Sequence, residues 1–333
     1  MASTAGSTVE VGYALSSEEH AATDLVRHAA RAEEAGFAFA GISDHFHPWT
    51  RTQGHSPFVW GVLGAIAQAT ERIRLGTGVT CPTVRMHPAV VAQAAATAAC
   101  LMPGRFFLGV GSGEALNEHI LGDRWPPADI RLEMLEEAIG VIRQLWQGGS
   151  QNHHGRHYDV EDATIFSLPD QPPGIIVAAS GPRAVDVAVR AGDGMWTTSP
   201  DAELIDAFRA GGGAGKPVYG QATVCWAADT EQAVKTAMEI WPNAGISGQL
   251  SQDLPTPAHF EQAAQMVTEE KVTAKVVCGP EVERHVELVK SYADAGITHV
   301  YLHQVGPDQE GFFRFWGQEL RPALAEAGLV ERA

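Results

Sequence analysis

The sequence predicts a single (β/α)8 barrel. Apolar strand-like runs alternate with amphipathic helical stretches along the whole chain. A helix ending in Ala-Gly feeds an apolar run three times, at Ala35-Gly36, Ala191-Gly192 and Ala295-Gly296. About eight strand–helix units fit into the 333 residues. Parallel strands joined by helices bury both faces of their sheet, and eight at this length suggest a closed barrel. An open doubly wound sheet is the alternative. No stretch reads as an interdomain linker, so the expectation is one domain over residues 1–333.

The elements follow in order. Val9–Leu15 (VEVGYAL) reads as a strand. Ala21–Ala35 carries Leu25, Val26, Ala29 and Ala32 at helical spacing, and Gly36 supplies the left-handed residue that ends helices. Phe37–Ser43 and Ile73–Thr80 are strands, the latter leading into an Ala-rich helix, His87–Leu101. Arg105–Gly111 is a strand, and Arg131–Trp146 is a helix with Leu132, Leu135, Ile139, Ile142 and Leu145 on one face. Ile175–Ala179, Gly194–Thr198, Val218–Trp226 and Thr298–His303 complete the set. Two stretches stand outside the repeat. Gly148–Asp170 reads as an excursion of short extended segments. The Pro-, Gly- and Gln-rich stretch Trp241–Lys271 reads as an insertion at the barrel mouth, a candidate substrate lid.

Composition bounds the function. Hydrophobic residues make up 45% of the chain and charged ones 19%, enough for a full core. The net charge of −17 argues against nucleic acid and anionic membranes, which need basic patches. Cys81, Cys100, Cys225 and Cys278 are widely spaced and read as buried thiols of a reducing compartment. The N-terminus lacks the basic and apolar regions of a signal peptide, and no window of 18 apolar residues exists. The expectation is a soluble cytoplasmic protein acting on a small molecule, without a metal.

The polar groups of interest fall just past strand ends. Ser43-Asp44-His45-Phe46-His47-Pro48-Trp49 places a carboxylate beside a histidine, which can fix its tautomer and raise its basicity. His45 and His47 lack a third ligand at fixed spacing for a metal. GVGSGEALNEH departs from the dinucleotide Gly-x-Gly-x-x-Gly at its last position, where Glu114 stands. Its small residues would admit a flat cofactor, with Glu114 and Asn117 addressing the edge. Ser180-Gly181-Pro182 opens a helix with free N–H groups near Arg183, a recipe for a phosphate. A solvated loop, a Gly-rich turn and an ordinary capped helix are the structural alternatives. His153, His154 and His157 read as solvated, and Trp146, Trp226 and Trp241 as packing.

Taken together, GYALSSEE, SDHFHPW, GTGVTCPT, FLGVGSGEALNE, VIRQLW and AGDG resemble the bacterial luciferase-like superfamily. Within it, the chain is most similar to the coenzyme F420-dependent glucose-6-phosphate dehydrogenase family. The resemblance implies a barrel, usually a homodimer, that binds the deazaflavin at its mouth and exchanges a hydride with an alcohol. It implies that His45 takes the hydroxyl proton, that Trp49 stacks near the reactive face, and that Glu114 protonates the ring nitrogen. Glu18 would sit nearby, on the substrate side. Asp44, Cys81, Ser112, Asn117, Ser180, Gly181, Arg183 and Ala184 would contact the cofactor, and Gly78-Val79 would form a supporting cis peptide. On the substrate side Thr198 is kept, but Asp201, Ser251 and Lys275 replace the family's two lysines and arginine. A carboxylate in place of a phosphate clamp repels a dianion, so an uncharged or differently substituted alcohol is expected rather than glucose 6-phosphate. Asp201 would then accept hydrogen bonds from substrate hydroxyls. The alternatives are a reductase of activated C=C or C=O bonds using reduced F420, an FMN monooxygenase, and a non-catalytic cofactor-binding homologue.

Overall fold

Short apolar runs bounded by turn residues become the strands, and the computed structural model describes residues 8–246 and 248–332. The first seven residues, part of the stretch read above for a signal peptide, lie outside the described residues. The barrel strands are β1 (Glu10–Leu15), β2 (Phe39–Ile42), β3 (Arg74–Thr77) and β4 (Phe106–Val110), then β5 (Ile175–Ala178), β6 (Gly194–Thr197), β7 (Val218–Cys225) and β8 (His299–Gln304). Each pairs in parallel with its sequence neighbour. Pairing of β8 with β1, with Val11 opposite Val300, closes the ring. This is the (β/α)8 barrel expected from the alternation. Val276–Cys278 adds a short strand alongside the C-terminal end of β7, where Thr223 faces Val276.

Helices α1 (Ala22–Glu34), α2 (Val59–Ala69), α3 (Pro88–Leu101) and α4 (Ala128–Leu145) clothe the first half. Helices α5 (Pro182–Ala191), α6 (Ala202–Phe208), α7 (Thr230–Ile240) and α8 (Val282–Asp294) clothe the second. In α1 the buried set is Leu25, His28, Ala29 and Ala32, one stripe at helical spacing. Helix α4 begins three residues before the expected Arg131, because Pro127 sits just ahead of its first turn. Two Ala-Gly junctions use the left-handed conformation, at Gly36 (φ 80°) and Gly296 (φ 93°). The third does not. Gly192 has φ −92°, and it is glycine because a Cβ would lie 2.8 Å from the Ala188 carbonyl oxygen.

The first excursion is an antiparallel hairpin, Gln151–His154 with Asp159–Ala163. Glu137 of α4 clasps it by accepting the backbone N–H groups of Arg156, His157 and Tyr158. Of the histidines read as solvated, His154 is exposed as expected, beside Asp159 at 3.3 Å, whereas His153 and His157 are partly buried against Glu137 at 3.2 Å and Glu133 at 3.6 Å. Carboxylates on α4, invisible to local reading, account for two of the three. The insertion 241–271 forms short helices, Pro242–Gly245, Leu250–Asp253 and Pro257–Ala264, with a fourth at Glu269–Thr273. Three of the four cysteines are buried as expected, but Cys100 is exposed on α3. No helix among the described residues is long and apolar enough to cross a membrane.

Large rings fill the barrel interior: Phe39, Phe107, Trp196, Tyr219 and Tyr301. Glycines on facing strands make that room. A Cβ on Gly76 would strike the Phe107 ring, and one on Gly41 would lie 2.9 Å from Trp196. The tightest approach is backbone on backbone, where a Cβ on Gly109 would stand 1.9 Å from the Thr77 carbonyl oxygen. Gly109→Ala should therefore cost at least about 3 kcal/mol, or abolish folding. Gly140→Ala, in the exposed middle of α4 with open space around it, should stabilise by about 0.5–1 kcal/mol. Urea unfolding of both variants checks this. Equal effects would contradict the packing account.

Candidate active site

The C-terminal ends of the strands and the insertion enclose a cavity of about 540 Å³, a size suited to a small-molecule site. Glu18, Asp44, His45, Trp49, Gly78, Val79, Cys81, Ser112, Glu114 and Asn117 wall it. So do Ser180, Ala184, Thr198, Ser251 and Lys275. Segments far apart in sequence thus meet at one place. Gly181, Arg183 and Asp201 do not line the cavity.

One wall carries a proton acceptor. The β2 loop delivers His45, whose Nδ1 lies 3.1 Å from the His47 carbonyl oxygen. A carbonyl can only accept, so Nδ1 carries the hydrogen in that contact and Nε2 is the proton-accepting atom. Nε2 stands 3.3 Å from Oε1 of Glu18, which arrives from the loop after β1, so that when Nε2 carries its proton the ring and the carboxylate form an ion pair. Burial alone would push Glu18 up, but the His45 ring, the Ser43 hydroxyl and a backbone N–H hold it below its ordinary value. Glu18 is thus favoured in its ionised form beside His45, with Ser16 also donating to it at 3.2 Å. The Trp49 ring lies 5.0 Å from His45 and 5.1 Å from Phe260, tying the base to the insertion.

The expected partnership of Asp44 with His45 is not what the structure holds. Adjacent residues diverge as the chain leaves the strand, and the Asp44 carboxylate turns the other way. It accepts from the Thr80 hydroxyl at 2.7 Å and from Arg85 at 2.8 Å. Glu18, not Asp44, is the carboxylate that faces His45.

A further carboxylate, Glu114, lines the same cavity. Glu114 precedes the short helix Ala115–Glu118, half-buried at the cavity edge. Asn117 donates to it at 3.3 Å and accepts from the backbone N–H groups of Phe46 and His47 at 2.9 and 3.2 Å. One amide therefore holds the Glu114 segment against the His45 loop. Beneath them Glu118 is buried, and its carboxylate accepts the Arg85 backbone N–H at 2.6 Å. Burial raises Glu118 to about 6, against the lowering effect of Arg85 and with a contribution from Glu114 and Asp44.

The floor is a chain of hydrogen bonds. Trp196 Nε1 donates to Tyr301 at 2.8 Å, and Tyr301 donates to Gln221 at 2.7 Å. Gln221 meets Nδ1 of His303 at 3.4 Å, and His303 Nε2 pairs with Glu19 at 2.7 Å. Trp241 of the insertion is buried in the packing as expected, and its ring also lies edge-on to His303 at 4.4 Å on the cavity wall. Glu19, Arg85, Glu118, Gln221 and His303 were missed by sequence reasoning. All of them act through partners more than thirty residues away, and Glu19 was in addition overshadowed by its neighbour Glu18.

One expectation of the resemblance holds at the barrel mouth and one does not. The peptide Gly78-Val79 is cis, as the resemblance implies. Asp201 is a correction: its carboxylate caps α6, accepting from Glu203 N at 3.1 Å and Leu204 N at 3.2 Å, so it faces that helix and not the cavity.

A parallel barrel with its chemistry gathered at the strand ends defines a broad class of enzymes. Within that class the chain belongs to the luciferase-like monooxygenase family, which it matches over residues 6–299. It is 37% identical over 328 residues to the F420-dependent glucose-6-phosphate dehydrogenase of Beutenbergia cavernae, covering 95% of this chain and 97% of the relative. It is 35% identical over 334 aligned residues to the protein of the same name from Mycobacterium tuberculosis, covering 96% and 99%. Among solved structures it is similar to an F420-dependent secondary alcohol dehydrogenase in complex with an F420-acetone adduct. That likeness has a TM-score of 0.89, 27% identity, and covers 95% of this chain and 99% of the other.

Glu118 yields a test of the site's electrostatics. Its pKa rises on folding from 4.5 to about 6, so the folded chain binds this proton more tightly than the unfolded chain. The associated stability is present below about pH 4.5 and is lost as pH rises through about 6, a decline of about 2 kcal/mol. Glu118→Gln cannot ionise and should lack the decline. Urea titrations at about pH 4 and about pH 7.5 should therefore show the stability difference shifting toward the variant at the higher pH. A difference unchanged with pH would mean that Glu118 is not perturbed.

Proposed function

We propose that the protein is a coenzyme F420-dependent dehydrogenase that acts on CH–OH groups. The observation that carries this reading is the pairing across one cavity of a carboxylate-backed base, His45 with Glu18, and an acid, Glu114, held by Asn117. The curated relatives, identical at 35–37% across nearly the whole chain, bear F420-dependent dehydrogenase names.

The cavity suits a flat cofactor. Near Gly78-Val79 and Gly111 its wall is backbone: a Cβ on Gly78 would lie 2.8 Å from Trp196, and one on Gly111 2.8 Å from Val79. Helix α5 opens beside it at Ser180 and Ala184 with no side chain capping its first turn, which leaves N–H groups for an anionic substituent. When bound, the deazaflavin supplies the carbon that accepts the hydride. His45 takes the hydroxyl proton on Nε2, and the ionised Glu18 stabilises the resulting imidazolium. Trp49 shapes the substrate side, and Glu114 holds a proton at the edge where negative charge develops. Cys81, Ser112, Asn117, Ser180 and Ala184 fit cofactor contacts. Asp44 acts at one remove, anchoring the base-bearing loop through Arg85 and Thr80.

The substrate is an alcohol without a phosphate dianion. Lys275, exposed at the rim, is the only lysine or arginine among the described residues that wall the cavity. A single point charge is a poor clamp for a dianion. Thr198, Ser251, Gln221 and Asn243 instead offer neutral hydrogen bonds. The chain works as one barrel domain, a homodimer in the reading carried over from the resemblance, without nucleic-acid or membrane partners and in the cytoplasm.

Fluorescence titration with F420, FMN and NADP in parallel tests the reading, and only the deazaflavin should bind tightly. His45→Ala should abolish alcohol oxidation while F420 affinity stays within about tenfold, or about 1.4 kcal/mol. Tight FMN binding, or an unchanged turnover rate in the variant, would overturn it. Asp201→Lys should lose about 1 kcal/mol of stability with its helix cap. Competition binding should find its affinity for sugar phosphates unchanged. A large gain would place that side chain in the cavity after all.

A further inference from the structure

Arg85 does not itself line the cavity but stands directly behind two residues that do, Asp44 and Glu118, and three of the loops that build the mouth meet at its guanidinium. Its Nη2 donates to Oδ1 of Asp44 at 2.8 Å and to the Asp44 carbonyl oxygen at 3.4 Å. Its Nε faces Oε1 of Glu118 at 3.5 Å, and its backbone N–H donates to Oε2 of the same carboxylate at 2.6 Å. The side chains of Asp44 and Glu118 are 1% exposed and that of Arg85 is 7%, so solvent cannot stand in for any of them. The group holds two carboxylates against one cation. Removing the cation would leave two buried carboxylates repelling each other.

The sequence positions of these partners give the arrangement its meaning. Asp44 immediately precedes His45, the base. Glu118 lies four residues after Glu114, the acid, on the segment that Asn117 also ties to the base-bearing loop. We infer that Arg85 is a positioning residue that fixes the base-bearing loop and the acid-bearing segment relative to each other. The inference rests on the roles proposed for His45 and Glu114. Arg is suited to this and Lys is not. A planar fork can address two carboxylates in fixed directions, whereas an ammonium is a single point of charge on a flexible stem.

The test compares Arg85→Ala and Arg85→Lys with the parent chain. Hydrogen exchange of the chain without cofactor reads the coupling directly. In both variants the amides of residues 44–50 and 112–119 should lose protection together, while the β5 and β6 strands keep theirs. With F420 and an alcohol, Arg85→Ala should lose about 100-fold in kcat, the order expected for a misplacement of about an ångström, with a much smaller change in KM. Guanidinium ion added to Arg85→Ala should refill the vacated space and recover at least about tenfold of the rate, whereas a purely structural defect would not respond. If Arg85→Ala fails to fold, Arg85→Lys decides. Parent-like exchange of both segments in that variant would overturn the inference, as would loss of protection in only one of them. Should the parent oxidise no alcohol with F420, the proposed function falls, and the exchange result still decides whether Arg85 couples the two segments.

Discussion

The mouth of this barrel depends on what fills the barrel beneath it. Trp196 projects inward from β6 and occupies space that Gly41 and Gly78 leave free, with a would-be Cβ of either within 3.0 Å of its ring. Its N–H is bound to Tyr301, and Tyr301 in turn fixes Gln221. A bulky polar-edged floor of this kind both completes the apolar core and presents a hydrogen-bonded surface upward. The cavity exists because the rings stop there. The strand ends can then carry loops whose side chains converge above a rigid base.

Above that floor, charge is distributed by pairing. Consecutive residues Glu18 and Glu19 serve two different histidines, His45 and His303, from one short loop. The first pair faces the substrate side, and the second lies under Trp241 at the edge of the floor. Asp44 and Glu118 share Arg85 on the remaining side. Three buried carboxylate groupings thus surround a site that itself carries few cations, in a chain whose net charge is −17. Each grouping keeps its own partner, while His45 and Glu114 both line the cavity between them.

What the sequence made legible was periodic or local. Alternation gave the barrel, and the SDHFHPW and GSGEALNE segments placed His45, Trp49, Glu114 and Asn117 together on one cavity. Long-range partnership was not legible. Asp44 sits beside His45 in the chain, but backbone direction at a strand end separates them, and the true partner Glu18 comes from another loop. Arg85 gave no local signal, since its meaning lies entirely in residues 41 and 33 positions away. Asp201 was misread because its role was judged from a family position. The run Asp201-Ala202-Glu203-Leu204 itself carries the mark of a helix cap. Gly192 shows that one recurring Ala-Gly signature can serve two ends, a left-handed turn in two cases and close backbone packing in the third.

The central claim is that hydride passes from a carbinol carbon to F420 in this cavity while His45 takes the hydroxyl proton. Its most direct measurement is an anaerobic single turnover with F420 and an unphosphorylated secondary alcohol deuterated at the carbinol carbon. The account predicts that deuterium appears in the reduced cofactor, with ketone formed in equal amount and a slowed rate relative to the protiated alcohol. Reduced cofactor without label, or product formed only when oxygen and FMN are supplied, would contradict it.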